Sequence, residues 1–334
     1  MLIRADASAE TGTGHIMRCL ALAQAWKDAG GSPMFALAQF TPAILARLAV
    51  ERIEAVPIDA QIGSSEDAEC TVEVARSGNA RWIVLDGYTF DAAFQERIRS
   101  SDAKVLFIDD IGGCEFYSAN IVLNQNLGAS QHGYAACSPR TRLLLGPEFV
   151  LLRREFKKWI GCERTFSRSA RTLLISMGGS DPTDLTCKIA GAGGFDRLRT
   201  AFLFGGSARP ELKSPDSPSV ACLKDEADMA NILAESDIAV ICAGGTLWES
   251  LFMGCATLSY TRNAVQKNIL QTLQQIGAVE WLGEVDNFDR QFLATRLAAI
   301  CSSERRRKAM SRAGRKIIDG RGTERVLCAL KSTA

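Results

Sequence analysis

The sequence predicts an α/β protein built as two doubly wound parallel-sheet domains, and three observations predict it. Near-continuous apolar runs recur along all 334 residues, separated by stretches whose apolar positions repeat at helical spacing. Strands that are apolar on both faces belong to parallel sheets covered by helices on either side. Glycine-rich turns follow several of these runs and lead into helix starts, and a polar, basic stretch from Glu155 to Ser169 separates two strand-rich blocks. The domain division is therefore placed at residues 1–156 and 157–334.

In the first block the expected strands are residues 2–6, 33–38, 81–86, 104–109, 120–124 and 142–145, with helices over Ile16–Ala29, Thr41–Arg52 and Asp91–Arg99. In the second block the strands are 171–177, 199–204, 219–223, 237–242, 255–260 and 278–282, with helices over Leu185–Ala192, Glu226–Glu235 and Ala264–Ile276. Gly205-Gly206 and the run Ser214–Ser219 read as loops. The segment Arg305–Lys316 reads as a basic helix with a solvated face. Open sheets of this class bind ligands beyond the carboxyl ends of their strands, so two such domains are expected to enclose a cleft.

The turn Gly12-Thr-Gly-His-Ile-Met-Arg-Cys19 joins the first strand to the first helix. Glycines there let bare backbone N–H groups approach a ligand, and a diphosphate is the usual guest. His15, one of two histidines in the chain, stands inside this turn and points to chemistry beside the phosphate. Cys19 lies one helical turn later and reads as packing. Other strand ends carry Asp86-Gly-Tyr88, Asp109-Asp110 and Asn124-Gln-Asn126, each projecting polar groups toward the expected cleft, although Asp86 and Asp109 also suit turn capping. His132 stands in a polar loop and reads as structural or solvated.

In the second block Leu173–Thr183 is strand, glycine turn and helix start. Gly178, Gly179 and Ser180 are placed to offer N–H groups to a phosphate, while Ser180, Asp181 or Thr183 could equally cap the helix. Ile238–Glu249 repeats the pattern with Gly244-Gly245-Thr246, and Glu249 follows early in the helix, where its two oxygens could accept both hydroxyls of a ribose. A solvated glutamate favoured by the helix dipole is the alternative.

Charge is nearly balanced, 39 basic against 38 acidic residues for a net of +1, which argues against nucleic acid as a partner. The first residues lack the features of a signal peptide, and no apolar run reaches the roughly 18 residues of a membrane span. Eleven cysteines fall singly, in apolar settings such as Cys187, Cys222, Cys242 and Cys255, with no C-x-x-C pair. Free thiols in a reducing cytoplasm, rather than disulfides or a zinc site, are expected.

The motifs GTGHIMRC, DGY, DD, LNQN, LLGPEFVLLRREF (144–156), SMGGSDPT, AGGTLWE and IDGRGTERV (318–326) occur in that order. Together they resemble the UDP-2,4-diacetamido-2,4,6-trideoxy-β-L-altropyranose hydrolase family of pseudaminic acid biosynthesis, over nearly the whole chain. That resemblance implies a GT-B fold, two Rossmann-like domains with the second holding UDP, and hydrolysis of the anomeric C–O bond without a required metal or cofactor. It assigns His15 as the general base that activates water, a task an imidazole suits near neutral pH. It places Gly12 and Gly14 near the diphosphate or anomeric centre and Tyr88 near the sugar, and Ser180, Thr246 and Glu249 match its UDP-holding positions, Glu249 on the ribose. Arg18, Asn124, Asn126 and Gln266 are expected as further substrate contacts, and Gly178, Gly179 and Gly245 as further UDP contacts.

Two positions depart from the family pattern. The family commonly has His between the Asp and Tyr of D-x-Y, where this chain has Gly87, and an Asn-Gln pair where it has Val265-Gln266. Asn263 or Asn268 could stand in for the missing Asn. The expected activity is a cytoplasmic UDP-sugar hydrolase acting on a small-molecule substrate, with no obligate protein partner. The alternatives are a GT-B glycosyltransferase that passes the sugar to a hydroxyl, and a nucleotide-sugar binder without turnover.

Overall fold

The computed structural model describes every residue except 9–11, 194, 196, 205–219, 225–227 and 334, and also leaves out the side chains of 131, 132, 220, 222 and 224. The loops expected at 205–206 and 214–219, and the side chains of His132 and Cys222, lie outside the described residues. Two units are present: residues 1–8, 15–154 and 321–334 form the first, and 9–14 and 155–320 the second.

In chain order the first unit contributes β1 (Leu2–Ala5), α1 (Gly14–Asp28), β2 (Met34–Leu37), α2 (Pro42–Val50), β3 (Glu54–Pro57), α3 (Ser65–Ser77), β4 (Trp82–Asp86), α4 (Ala92–Arg99), β5 (Lys104–Ile108), β6 (Ile121–Asn124) and β7 (Arg142–Leu145). Its seven strands are all parallel, in the order β3-β2-β1-β4-β5-β6-β7. Alternate residues of each strand serve opposite faces, as a period of two requires. Ile3, Phe35, Val84, Leu106 and Leu123 pack with Ile16, Leu20 and Ala23 of α1. Leu2, Ala36, Ile83, Leu85 and Val105 pack with Val72 of α3 and Phe94 and Ile98 of α4. The α4 start is set by Asp91, whose carboxylate accepts from Phe94 N at 2.8 Å.

Strand β3 is absent from the sequence-based expectation. It is a four-residue edge strand, half exposed, with only Ala55 and Val56 to read as apolar and a proline at its end. Proline is tolerated there because the edge has no further neighbour to receive its missing N–H.

The second unit contributes β8 (Thr172–Ser176), α5 (Leu185–Ala192), β9 (Arg199–Phe204), β10 (Val220–Lys224), α6 (Met229–Glu235), β11 (Ile238–Cys242), α7 (Gly245–Met253), β12 (Ala256–Thr261), α8 (Ala264–Ile276), β13 (Val279–Glu284), α9 (Arg290–Cys301) and α10 (Glu304–Ile317). Its strands are also all parallel, in the order β10-β9-β8-β11-β12-β13. Ile175, Phe202, Val240 and Leu258 pack with Leu185 and Ile189 of α5 and Leu293 and Leu297 of α9.

The last helix, α11 (Gly322–Ser332), belongs to the first unit, although the sequence-based division assigned it to the second. The reason is burial: Val326, Ala329 and Leu330 lie in the core with Ile3 and Val84. Thr323 Oγ donates to Leu152 O and accepts from Leu152 N, each at 3.0 Å. Gly322 is required there, since a Cβ would come within 2.3 Å of Val150 O.

Two further expectations are corrected. The basic stretch around Lys157 and Arg164 is not a bare linker. Phe156 is buried against Phe252, and the Arg164 guanidinium donates to Leu233 O at 3.2 Å and Met253 O at 3.1 Å, closing the C-terminal ends of α6 and α7. Nor is α10 only a solvated face. Arg307 is fully buried and donates to Ile300 O and Cys301 O at the end of α9 and to Ser167 O. Among the described residues no helix is long and apolar enough to cross a membrane.

Candidate active site

In both sheets the strand order reverses once, between β1 and β4 in the first and between β8 and β11 in the second. Such a switch point splays the two following loops apart and leaves a crevice at the carboxyl ends of the strands. His15 follows β1, and Asp86 is the last residue of β4, paired in register with Ala5. Gly178–Ser180 follow β8, and Gly244–Thr246 follow β11. The three glycine turns that lead into helix starts thus stand at switch points.

Gly12 has φ +76°, a left-handed conformation that glycine adopts without strain, and Gly14 opens α1 with open space where a Cβ would stand. His15, Arg18 and Cys19 are spaced i, i+3 and i+4, so all three share one face of α1. That face meets Asp86, which is wholly buried. Asp86 Oδ1 lies 2.5 Å from His15 Nδ1 and accepts from Arg18 Nη2 at 2.7 Å; Oδ2 accepts from Arg18 Nε at 2.7 Å and from Cys19 Sγ at 3.3 Å.

Burial would raise the Asp86 carboxyl, but the Arg18 guanidinium and His15 outweigh it and hold the group well below the usual carboxylate range. Asp86 is therefore ionised. Two lone pairs facing each other at 2.5 Å would repel, so the proton lies on Nδ1 and His15 donates it to Asp86. The nitrogen left to take a proton from a reactant is Nε2. The side chain of His15 is 13 % exposed. Cys19 is fully buried, and burial, followed by the Asp86 charge, pushes its thiol well above the ordinary value. It is a neutral donor to Asp86, in keeping with packing rather than nucleophilic use.

Arg18 also donates from Nη1 to Asp110 Oδ1 at 2.7 Å. Burial works against the guanidinium, yet Asp110 and Asp86 hold it more firmly protonated than usual. Asp110 in turn accepts from Asn126 Nδ2 at 2.9 Å and from Tyr88 OH at 3.3 Å. Tyr88 is 64 % exposed, and its ring meets His15 nearly edge-on, with centroids 5.0 Å apart at 83°. The adjacent Asp109 does something different. Its oxygens accept from the N–H groups of Asp110, Ile111 and Gly112 and from Tyr117 OH, so it caps the turn that delivers Asp110.

Several expected contacts are committed elsewhere. Arg18 gives all three guanidinium nitrogens to carboxylates. Asn124 is buried, donating to Tyr134 OH at 2.7 Å and accepting from Asn126 N at 2.9 Å. Asn126 reaches the site only through Asp110. Gln266 accepts from Arg262 N at 2.8 Å, while Asn263 Oδ1 accepts from Gln266 N at 2.9 Å; the pair is a helix cap for α8. Gly87 has a local reason: a Cβ there would stand 2.9 Å from Cε2 of Phe90, a buried ring.

In the second unit, Asp181 caps α5, accepting from Leu185 N at 2.9 Å and Thr186 N at 2.7 Å. Two N-terminal donors of α5 are thus satisfied by the protein. Gly178, at φ +91°, Gly179 and the buried Ser180 form the turn before it. The Arg262 guanidinium braces this turn by donating to Met177 O and Ser180 O. The N-terminus of α7 differs: its N-cap, Gly244, supplies no side-chain bond, and at Gly244 and Gly245 a Cβ would meet open space. Thr246 is half-buried there, and Glu249 is buried one turn on, 9 % exposed. Among the described residues no cluster of three or more His, Cys, Asp or Glu is arranged to hold a metal ion.

Asp86 and Asp110 are the residues sequence reasoning left out of the site. In the sequence both stand as polar groups that follow or end apolar strands. The further signal was the i, i+3, i+4 set of imidazole, guanidinium and thiol on α1, a donor-rich face that needs an acceptor opposite it.

Two doubly wound parallel domains carried on one chain define the GT-B fold, and comparison with known proteins agrees. The solved structure of CalG4, the calicheamicin glycosyltransferase, superposes with a TM-score of 0.63 over 99 % of this chain and 97 % of that one, at 12 % identity. The spore coat polysaccharide biosynthesis protein SpsG of Bacillus subtilis is 23 % identical over 98 % of this chain and 97 % of its own length. The UDP-2,4-diacetamido-2,4,6-trideoxy-β-L-altropyranose hydrolase of Campylobacter jejuni is 23 % identical over 76 % of this chain and 88 % of that protein. No protein-family model matches the chain.

Proposed function

We propose that this protein is an enzyme acting on nucleotide sugars, and that it hydrolyses a UDP-linked diacetamido-trideoxy sugar at the anomeric carbon. The products are UDP and the free sugar, the latter for nonulosonic acid synthesis of the pseudaminic type. The observation that carries the reading is His15 with Nδ1 bound to an ionised, buried Asp86. That arrangement supports proton abstraction by Nε2 from a water directed at the anomeric carbon. The name of the Campylobacter jejuni relative supports the substrate.

In the step, the water oxygen forms a bond to the anomeric carbon, its proton passes to His15 Nε2, and the bond from that carbon to the β-phosphate oxygen breaks with its electron pair. Asp86 stabilises the imidazolium so formed, and solvent then removes the proton. The departing charge falls on the diphosphate, for which the N–H groups of Gly245 and Thr246 at the uncapped start of α7 are suited. Each such contact contributes up to about 2 kcal/mol. In this proposal Gly178, Gly179 and Ser180 line the nucleotide site, Glu249 takes the ribose, and Gly12, Gly14 and Tyr88 face the sugar. A second reading, transfer of the sugar to a hydroxyl acceptor, is favoured by the fold shared with a glycosyltransferase.

The test is incubation with the UDP-linked sugar in ¹⁸O-water, followed by NMR and mass spectrometry. Release of UDP with the label in the sugar is expected, and His15→Ala should abolish release while still binding UDP. Release that needs an added acceptor supports transfer; UDP binding with no release under either condition overturns both.

A further inference from the structure

The carboxylate of Asp110 has no assigned part in the proposed step at the anomeric carbon. It is nevertheless the hub of the site's outer layer, accepting from Arg18, Asn126 and Tyr88. Arg18 is the piece that makes this matter. Its Nη2 donates to Asp86 Oδ1 at 2.7 Å and also stands 3.2 Å from His15 Nδ1. Were the Arg18 fork on Asp86 lost, a second arrangement of these donors would compete with the one described above. In the first, Nδ1 carries a proton, donates it to Asp86, and leaves Nε2 as the acceptor. In the second, Nδ1 accepts from Arg18, and Nε2 carries the proton. Only the first arrangement gives a base.

The fork of Arg18 on Asp86 is planar and two-pronged, Nε to Oδ2 and Nη2 to Oδ1, and a guanidinium rotated in its plane loses both prongs together. The bond that fixes this rotation from the far side is Nη1 to Asp110 Oδ1, at 2.7 Å. We infer that Asp110 is a positioning residue that selects the tautomer of His15 through Arg18 and Asp86, and that it also tethers Tyr88 against the imidazole ring. Its own carboxyl is ready for this: burial would raise it, but Arg18 more than compensates and keeps it ionised. The charged and titratable groups that face His15 within the first unit are Asp86, Arg18, Asp110, Cys19 and Tyr88. Of these, Asp110 alone binds both Arg18 and Tyr88.

The catalytic consequence rests on the hydrolase reading, but the tautomer does not, and the experiment separates them. The chain has two histidines, so ¹⁵N-labelled protein gives two imidazole patterns by long-range ¹H–¹⁵N correlation, with His15→Gln assigning them. In the wild type, His15 should show a protonated Nδ1 with a strongly deshielded proton and an unprotonated Nε2. Asp110→Asn should convert this to a mixed or reversed pattern. With the UDP-linked sugar, kcat should fall on the order of 10²-fold, the loss expected of a displaced catalytic group, with KM changed less than threefold. Should Asp110→Asn not fold, Arg18→Lys, which keeps the charge and removes the fork, provides the same readout. An unchanged His15 pattern in the variant that folds overturns the inference, whether or not the wild type turns over. A changed pattern in a protein without turnover upholds it and sinks the hydrolase reading instead.

Discussion

Asp86→Asn is the substitution whose consequence can be worked out most fully. Asp86 takes four donors on two oxygens: His15 Nδ1 and Arg18 Nη2 on one, Arg18 Nε and Cys19 Sγ on the other. Asparagine keeps one acceptor and replaces the other with an NH₂ group. If its oxygen faces His15, the NH₂ meets Arg18 Nε, donor against donor, in a fully buried place. If its oxygen faces Arg18 Nε, the NH₂ meets Nδ1, which must then accept, and the proton moves to Nε2. Both orientations set the NH₂ against an Arg18 nitrogen, Nε in the first and Nη2 in the second, and the second in addition leaves His15 unable to act as a base. A wrong-tautomer histidine of this kind lowers turnover on the order of 10⁴-fold in the Ser-His-Asp hydrolases, and a loss of about 10³-fold or more is expected here.

Stability should fall as well. Removing one partner of a buried ion pair costs about 3–5 kcal/mol, and the lower end applies because Arg18 keeps Asp110. The folded-state carboxyl of Asp86 is depressed, so its contribution is complete above the unfolded value, about 4, and is lost as pH falls from there toward the folded one. The gap in urea-derived stability between wild type and variant should therefore be constant from pH 6 to 8 and shrink below about pH 4. UDP release by ³¹P NMR and urea melts across that range make the assay. Turnover within tenfold of the wild type, or a stability gap that widens on acidification, refutes the reasoning.

Leu330→Ala, at a fully buried position of α11, should destabilise the first unit by about 2–5 kcal/mol, read as faster hydrogen exchange in β1 and β4 with β8 and β11 unaffected. If exchange rises in the second unit instead, the assignment of α11 is wrong. Gly87→His, which introduces the residue common in the hydrolase family that the sequence resembles, places a Cβ 2.9 Å from a Phe90 ring stacked on Phe94 and lying under Arg4. A loss of about 1–3 kcal/mol in a urea melt is expected, and no loss would show that the ring has room to move.

How much of this was legible in the sequence differs between the fold and the site. Every strand with a continuous apolar run was readable, because a strand covered on both faces has to be apolar throughout, whatever its neighbours are. The edge strand Glu54–Pro57 was not, since an exposed edge imposes no such demand. His15 stands out in the sequence because a histidine in a glycine turn has few structural explanations. The sequence does not distinguish the roles of Asn124 and Gln266, because an amide that ends a strand or starts a helix looks the same in sequence whether it faces a ligand or a neighbouring backbone.

The sequence by itself determined the two parallel sheets, the positions of the glycine turns and the placing of an imidazole at the end of the first strand. These follow from local periodicity and from backbone freedom, which act over a few residues. Only the tertiary structure decided that Asp86 and Asp110, 71 and 95 residues along the chain from His15, close around it through Arg18, and that α11 returns to the first core. Strand order determines which loops become neighbours at the switch point, and that order is settled by the packing of whole elements rather than by any stretch of sequence.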